Sequence, residues 1–176
     1  SSAASDVYKR QMDFYSIVST HEGHDGKQVT SQVLNIRRFD MPTEDVIEHL
    51  QLEPGTPVVY IKRLFLFDDK PLAVGRSWLS LARFPGLDET GLGEKGLTAT
   101  LRSRYNTIIR RFNDAIEAVR PAPDERNLLD VSYDCPLLMV RGLSFDQHNV
   151  PVEYSTTYWL GDKVRFTVSM STQEVE

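Results

Sequence analysis

DVIEHLQLEPGTPVVYIKRLFL, residues 45–66, is followed by DERNLLDVSYDCPLLMVRGLSF, residues 124–145, at an offset of 79 residues. After one inserted residue the match continues at an offset of 80. Apolar, proline and aromatic positions coincide: Leu50 with Leu129, Pro57 with Pro136, Ile61 with Val140, and Trp78 with Tyr158. Each copy reads as a short helix, a turn with proline, a strand, a polar turn and a second strand. Because neither copy can bury its apolar strand face alone, we expect the two to share one core.

The whole chain follows the same alternation of helices, turns and strands. Capping residues and 3.6-residue periodicity predict helices at 44–50, 97–105 and 123–129. Alternating apolar positions predict strands at 33–39, 58–67, 72–79, 108–119, 137–146, 152–159 and 163–170. Short polar turns between neighbouring strands indicate antiparallel hairpins. The predicted class is therefore α+β, a mainly antiparallel sheet with helices, built from two pseudo-repeated helix–hairpin units.

Composition excludes several classes of protein. The chain has 176 residues, of which 40% are hydrophobic, enough for one domain with a real core. No apolar run approaches the roughly 18 residues that a membrane-spanning helix needs. The net charge of −5 argues against nucleic-acid binding by this segment, which would need a basic face. The single cysteine, Cys135, excludes an internal disulfide framework, favours a reducing cytoplasm, and is interpreted as a structural thiol.

The two ends of the chain differ from its centre. Residues 1–11, SSAASDVYKRQ, lack the apolar segment of a secretory signal and resemble a cloning or adapter tail. Residues 12–32 read as a linker or loop remnant, residues 33–172 as the folded domain, and residues 173–176 as a second tail. If residues 1–11 are an artefact, we expect the natural protein to be longer at its amino end and to carry a partner domain there.

A search for catalytic or metal-binding patterns finds none. His21 and His24 lie in a glycine-bearing loop with acidic neighbours, but no rigid third ligand accompanies them, so a solvated loop is the preferred interpretation. The sequence has no phosphate-binding glycine loop, no serine elbow and no histidine beside a nucleophile. It therefore predicts no catalytic residue, no metal site and no cofactor.

Polar side chains on the predicted strands are the better candidates for a site. Arg63 interrupts the apolar run VVYIKRLFLF, and Glu153 shares one strand face with Thr157 and Trp159. An arginine fork suits phosphate or carboxylate, and the helix start at Gly96 offers free backbone N–H groups. The alternatives are a solvated edge arginine and an exposed strand carboxylate. If both side chains face inward, the predicted ligand is small, polar and anionic.

Two segments carry a family resemblance. LQLEPGTPVVYIKRLFLFDDKPLAVGRSWL and PVEYSTTYWLGDKVRFTV resemble the UTRA domain, the effector-sensing module of GntR/HutC-type transcriptional regulators. The resemblance extends over residues 33–170, and RSWLSLARFPGL, LTATL and IIRR are similar to the branch that contains phosphonate-utilisation regulators. It implies a chorismate-lyase-like fold and a winged helix-turn-helix that would precede this chain and bind DNA. Coupling of an effector domain to DNA binding would need a homodimer, so that movement of the domains changes the spacing of two DNA-binding heads.

The resemblance also implies a ligand site. In sugar-phosphate-sensing members an arginine at the position of Arg63 holds the phosphate, and a glutamate is retained as Glu153. A second arginine, a helix-start serine and another glutamate of those members are replaced here by Phe65, Gly96 and Gly75. An amino-sugar phosphate is therefore not the expected ligand. The predicted ligand-binding set is Arg63, Ser77, Gly96, Thr98, Glu153, Thr157 and Trp159.

The leading functional hypothesis is thus a cytoplasmic effector-binding domain of a transcriptional regulator. Its effector would be a phosphonate, a phosphorylated compound or a carboxylated compound. One alternative is an enzyme of the chorismate-lyase-like fold that acts on an aromatic carboxylate. Another is a dimerisation module without a ligand. Fold alone does not separate these hypotheses, because function is carried by the site.

Overall fold

The computed structural model describes residues 11–13, 29–166 and 169–171. Its helices are α1 (Glu44–Leu50), α2 (Leu87–Thr90), α3 (Gly96–Tyr105) and α4 (Pro123–Leu129). Its strands are β1 (Gln11–Asp13), β2 (Val29–Phe39), β3 (Val58–Phe67), β4 (Lys70–Ser80), β5 (Ile109–Val119), β6 (Leu137–Asp146), β7 (Pro151–Leu160) and β8 (Ser169–Ser171). Six strands form an antiparallel sheet in the order β2-β3-β4-β7-β6-β5, and β1 pairs with β8. This confirms the predicted α+β class.

The two copies are related by a pseudo-two-fold axis through the β4–β7 pairing, which we call the seam. The unit β2-α1-β3-β4 recurs as β5-α4-β6-β7, so the strand order is the same outward from the seam on both sides. Arg76 and Thr156, which are equivalent in the repeat, lie directly opposite each other. The register even shifts at equivalent places, after Phe65 in one hairpin and after Ser144 in the other. The two copies therefore form one continuous sheet.

Each unit is completed by the other unit. On one face of the sheet, α1 of the first copy packs on β7 of the second, where Val46 and Leu50 cluster with Tyr154. On the same face, α4 of the second copy packs on β4 of the first, where Leu129 clusters with Val74. Full burial of a leucine side chain contributes about 1.5–3 kcal/mol. Because both helices cross the seam, the core on this face of each unit is completed by the other unit.

A cluster of ion pairs holds α4 at the axis. Arg76 Nη2 lies 2.5 Å from both Asp124 Oδ2 and Glu125 Oε1, and Lys62 Nζ lies 2.6 Å from Asp124 Oδ2. Glu125 is buried, and its second carboxylate oxygen accepts a hydrogen bond from the Ala122 amide at the start of α4. Removing one partner of a buried ion pair costs about 3–5 kcal/mol, because the other charge loses its compensation. Arg76 therefore keeps the Glu125 carboxylate in place.

The opposite face of the sheet, which we call the α3 face, is covered by α2 and α3 at one end. The buried cluster there includes Val59, Ile61, Leu79, Phe84, Leu97 and Leu101. Farther along the strands this face carries Val33, Phe112 and Ile116, each more than a third exposed. Within residues 29–166 the two edge strands are therefore exposed on this part of the α3 face, which we call its open part, while Ser77 at the seam is buried.

The structure differs from the prediction mainly near the ends of the chain. The bounds of α1, β3, α4 and β6 are as predicted, and β2 starts at Val29, four residues earlier than predicted. The strand predicted at 163–170 is wrong in its first half, because residues 161–166 form a turn and irregular backbone. β7 already has β4 and β6 on its two edges, so the chain leaving it cannot pair beside it. The predicted loop at His21 and His24 lies outside the described residues.

The crossing helices predict that both units unfold together. Leu129→Ala should lower the free energy of unfolding by about 2–5 kcal/mol, because it removes a buried side chain that packs on the other copy. Trp78→Phe leaves only Trp159, in β7, and Trp159→Phe leaves only Trp78, in β4. The fluorescence of each single-tryptophan variant therefore reports on the unfolding of one copy. In denaturant titrations followed by fluorescence, Leu129→Ala should shift both midpoints equally. Two separate transitions would contradict the shared core.

Candidate functional site

The open part of the α3 face has a floor of small side chains. Residues directly opposite each other in a sheet point to the same face. One row therefore crosses all six strands, formed by Val33, Arg63, Gly75, Thr157, Val140 and Ile116. The adjacent row contains Ile61, Ser77, Ser155, Gly142 and Asp114. Glycine and hydroxyl side chains therefore occupy the seam positions of these rows, and the longer side chains of Phe65 and Asp114 lie over Gly75 and Gly142.

Arg63, Ser77 and Glu153 form a hydrogen-bonded group across the seam. Arg63 Nη2 donates to Ser77 Oγ at 2.9 Å and to Glu153 Oε1 at 3.2 Å. Ser77 Oγ donates its own hydrogen to Glu153 Oε1. The side chains of Arg63 and Glu153 are 12% and 17% exposed, and Ser77 is fully buried. The structure thus brings these three predicted site residues together, and neither charged group is a solvated edge residue.

Two buried polar atoms beside this group have no hydrogen-bond partner among the described residues. They are Nε of Arg63 and Oγ of Ser144, and Ser144 is only 4% exposed. Ser144 lies directly opposite Glu153 in the register of β6 and β7. A buried donor or acceptor without a partner costs about 1–3 kcal/mol, so such atoms are usually satisfied by something. Both atoms therefore mark places where a ligand group could form a hydrogen bond.

An aromatic wall borders the floor next to Arg63. The ring of Phe65 stacks on Trp159 with centroids 5.7 Å apart, and the guanidinium of Arg63 lies 5.2 Å from the Phe65 centroid. A Cβ atom at Gly75 would lie 2.8 Å from the Phe65 ring and 3.4 Å from Thr157 Oγ1. The missing side chain at Gly75 is therefore what allows Phe65 to lie over the sheet. Trp159 and Thr157 thus border the same space as Arg63.

Asp114 brings a second carboxylate to this face from the edge strand β5. It lies opposite Gly142, and its Oδ1 would be 1.8 Å from a Cβ added there, so the carboxylate lies over the Gly142 backbone. Burial, and then the charge of Glu153, raise the pKa of Asp114 above its ordinary value. Among the described residues Asp114 forms no hydrogen bond and no ion pair. It is therefore a partly buried carboxylate without a partner.

Gly96 and Thr98 are placed apart from this group. Gly96 begins α3 with φ of +82°, and a Cβ added to it would lie 3.7 Å from Ser31 Oγ on β2. Ser31 lies opposite Phe65, so the helix start faces the aromatic wall rather than Glu153. Thr98 is exposed, and within the described part of the chain the Arg63 guanidinium donates to Ser77 and Glu153 instead. Whether a ligand reaches both Arg63 and the α3 amides stays a prediction.

Sequence reasoning missed Asp114 and Ser144, although each left a signal. Asp114 stands between Phe112 and Ile116 at alternate positions of one strand, where a carboxylate breaks the apolar parity. Ser144 occupies the position that Phe65 holds in the first copy of the repeat. A comparison of the two copies residue by residue would therefore have singled out Ser144.

The remaining chemistry of the described residues is limited. Burial raises the pKa of the Cys135 thiol, with a further contribution from Asp162, which makes that thiol a poor nucleophile. No group of three or more His, Cys, Asp or Glu side chains in the described part of the chain is placed to hold a metal ion. No helix among those residues is long and apolar enough to cross a membrane. The arrangement favours binding of a small polar ligand.

Comparison with known proteins finds relatives among transcriptional regulators. The family model of the UTRA domain matches residues 24–165. The HTH-type transcriptional repressor PhnF of Mycolicibacterium smegmatis is 30% identical over 132 residues, which cover 74% of this chain and 54% of that protein. The HTH-type transcriptional regulator GmuR of Bacillus subtilis is 26% identical over 140 residues, covering 78% and 57%. The chain spans about half the length of these curated relatives.

Solved structures agree with these relatives. The ligand-binding domain of a candidate GntR-family transcriptional regulator from Bordetella bronchiseptica superposes with a TM-score of 0.80 at 25% identity, covering 88% of this chain and 96% of that one. The effector domain of PhnF from Mycobacterium smegmatis gives a TM-score of 0.75 at 27% identity, covering 81% and 86%. The similarity therefore extends over nearly all of two effector domains that were solved by themselves.

The raised pKa of Asp114 predicts a specific pH dependence of stability. The folded protein keeps this proton at higher pH than the unfolded chain, whose aspartate titrates near pH ~4. The unfolding free energy therefore falls as pH rises through the window between the two pKa values, and it stays lower above that window. Asp114→Asn should make the domain more stable at pH 7, with a smaller gain at pH 4, in urea titrations.

Glu117→Gln is the matched control for this prediction. Glu117 lies on the same strand, is exposed, and by strand alternation points to the opposite face. It should change stability little at either pH. A parent domain that is more stable at pH 7 than its Asp114→Asn variant would show that the carboxylate is stabilised by a partner.

Proposed function

This chain belongs to the UTRA domain family, and from that premise we propose that it is the effector-binding domain of a GntR/HutC-type transcriptional regulator that senses a small anionic metabolite. The UTRA match covers most of the chain, and the relatives are named as transcriptional repressors and regulators. The nature of the effector rests on one observation. Arg63 is a largely buried arginine on the α3 face, and its Nε has no acceptor among the described residues.

The geometry around Arg63 supports an anionic ligand. A guanidinium has five N–H donors in a planar fork, and only Nη2 of Arg63 has protein acceptors in the described structure. Thr157 lies opposite Gly75, which in turn lies opposite Arg63, so the Thr157 hydroxyl is on the same face of the sheet as the guanidinium. A phosphate, phosphonate or carboxylate oxygen could accept from Nε, the donor of Arg63 that is buried and unpaired among the described residues. Such a ligand would satisfy the buried donor.

The whole protein would act by coupling this site to DNA. We propose a cytoplasmic homodimer in which each effector domain is joined to a DNA-binding domain outside the present sequence. An effector can shift such a protein only if it binds one conformation more tightly than the other. The coupling free energy is typically 1–3 kcal/mol. Movement of the two effector domains would change the spacing of the DNA-binding domains, and that spacing must match the two half-sites of an operator.

An enzymatic function is less well supported. Turnover needs a nucleophile or an acid–base pair aimed at a substrate. On the open α3 face, Arg63 and Ser77 are both engaged with Glu153, and the relatives are named as regulators. Incubation with chorismate, followed by absorbance of 4-hydroxybenzoate, separates the two hypotheses. Product formation above the buffer blank would favour the enzyme.

Arg63→Ala should weaken anion binding. A hydrogen bond to a charged group contributes about 1.5–3 kcal/mol, which corresponds to about 10- to 150-fold in affinity. The probes are inorganic phosphate and propyl phosphate, and the measurement is isothermal titration calorimetry. Arg126→Ala is the matched control, because Arg126 is an exposed arginine on α4, on the other face of the sheet. It should bind both probes as the parent does. Equal affinities of the Arg63→Ala variant and the parent would leave Arg63 with a structural role only.

The chain by itself should not bind duplex DNA. Its net charge of −5 gives no attraction for phosphates, and DNA affinity depends strongly on such attraction. A gel-shift assay at low salt, where electrostatic binding is strongest, is the sensitive test. Sub-micromolar binding to any duplex under these conditions would contradict the assignment of DNA binding to another domain.

A further inference from the structure

Three acceptor groups lie together on the α3 face next to Arg63. We call the place where an anion would accept from Arg63 the anion position. Asp114 lies over Gly142, Ser144 follows two residues later on the same strand face, and Glu153 lies opposite Ser144. Asp114 has no partner among the described residues, and Ser144 Oγ is buried and unpaired. Only Glu153 is engaged, by Arg63 and Ser77. The Ser144 hydroxyl, which is buried and has no partner among the described residues, is an observation separate from the two carboxylates. It indicates that a hydrogen-bonding group of a ligand belongs beside it.

The repeat gives the site opposite charges on its two sides. The equivalent of Arg63 in the second copy is Gly142, and the space above this glycine holds the carboxylate of Asp114. The equivalent of Phe65 is Ser144, and the equivalent of Glu153 in the first copy is Ala73. A cation therefore stands on one side of the axis and two carboxylates on the other.

An anion alone matches only part of this arrangement. An anion that accepts from Arg63 shares the guanidinium charge with Glu153 and leaves that carboxylate with less compensation close to Asp114. The charge of Glu153 already raises the pKa of Asp114, so the two carboxylates repel each other. A ligand that carries its own cation avoids this cost, because its two charges replace the partners that Arg63 and Glu153 lose.

We propose that Asp114, Ser144 and Glu153 form an ammonium-binding subsite beside Arg63, so that the effector is a zwitterion with an anionic group and an amine. The inference rests on the proposed function, since it takes the anion position at Arg63 as given. An ammonium group has three N–H donors, and the subsite offers three acceptors for them. Arg63 reaches Glu153 on β7 and Asp114 leans over β6, so the ligand charges are separated by roughly one to two strand spacings, about 5–10 Å.

The test compares probes that differ only in the amine. 3-Aminopropyl phosphate is paired with propyl phosphate, and 3-aminopropanoate is paired with propanoate in case the anion position prefers a carboxylate. Titrations followed by ¹⁵N–¹H NMR suit weak ligands, and the amides of Gly75 and Gly142 report on the two sides of the site. In at least one pair the amine should bind at least tenfold more tightly than its amine-free partner. Its saturation should shift both glycine signals.

Two variants test the carboxylate, and one variant is the control. Asp114→Asn should bring the two affinities of a pair to within about twofold to threefold, because the charge is lost and the shape is kept. Gly142→Ala should do the same with the charge kept, because the new Cβ takes the place of the Asp114 carboxylate. Glu117→Gln removes an exposed charge from the same strand and should leave the ratio unchanged.

The outcomes separate this inference from the function on which it rests. Amine-free probes that bind as tightly as their amines, or a ratio that persists in Asp114→Asn, would overturn the ammonium subsite while leaving the anion position intact. If Arg63→Ala binds the amine-free probes as tightly as the parent does, Arg63 does not form the anion position. If none of the four probes binds the parent, both proposals fail.

Discussion

The pairing of β4 with β7 is the contact on which the rest of the structure depends. It joins two copies of one sequence pattern into a single sheet, and α1 and α4 each cross it to pack on a strand of the other copy. Arg76 lies on the axis of this arrangement and holds α4 through Asp124 and Glu125. Because the seam carries the sheet, the helices and the central ion pairs together, its geometry is strongly determined by packing. A binding floor built there is therefore more rigid than one built from loops.

The site owes its polarity to differences between the two copies rather than to their similarity. Positions that form the core, such as Val58 and Leu137, keep their apolar character in both copies. Positions on the open part of the α3 face have changed, with arginine in one copy and glycine in the other. A symmetric scaffold thus holds an asymmetric set of charges. The other face of the sheet is covered by α1 and α4, which pack on β7 and β4.

Local signals in the sequence were sufficient for most of the elements, although not for α2 or the start of the strand predicted at 163–170, and they were not sufficient for the assembly. The bounds of α1, β3, α4 and β6 follow from caps, alternation and turn residues, which act over a few positions. The crossing of the helices depends on contacts between residues far apart in sequence, and no local pattern encodes it. The group Arg63–Ser77–Glu153 could be anticipated from strand parity and resemblance. Asp114 breaks the apolar parity of its strand, but its place over Gly142 could not be anticipated, because the sequence alone does not show that the two residues are opposite.

The contact between Phe65 and Gly75 limits how this site can change during evolution. The Phe65 ring fills the volume that any side chain at residue 75 would enter, so the residue at one of these positions restricts the residue at the other. A lineage that acquires a longer residue at 75 must also reduce or redirect the residue at 65, and the guanidinium of Arg63 would then lose the ring beside it. These three positions should therefore covary among related domains. Effector classes would be better sorted by the combination at 63, 65 and 75 than by identity over the whole domain.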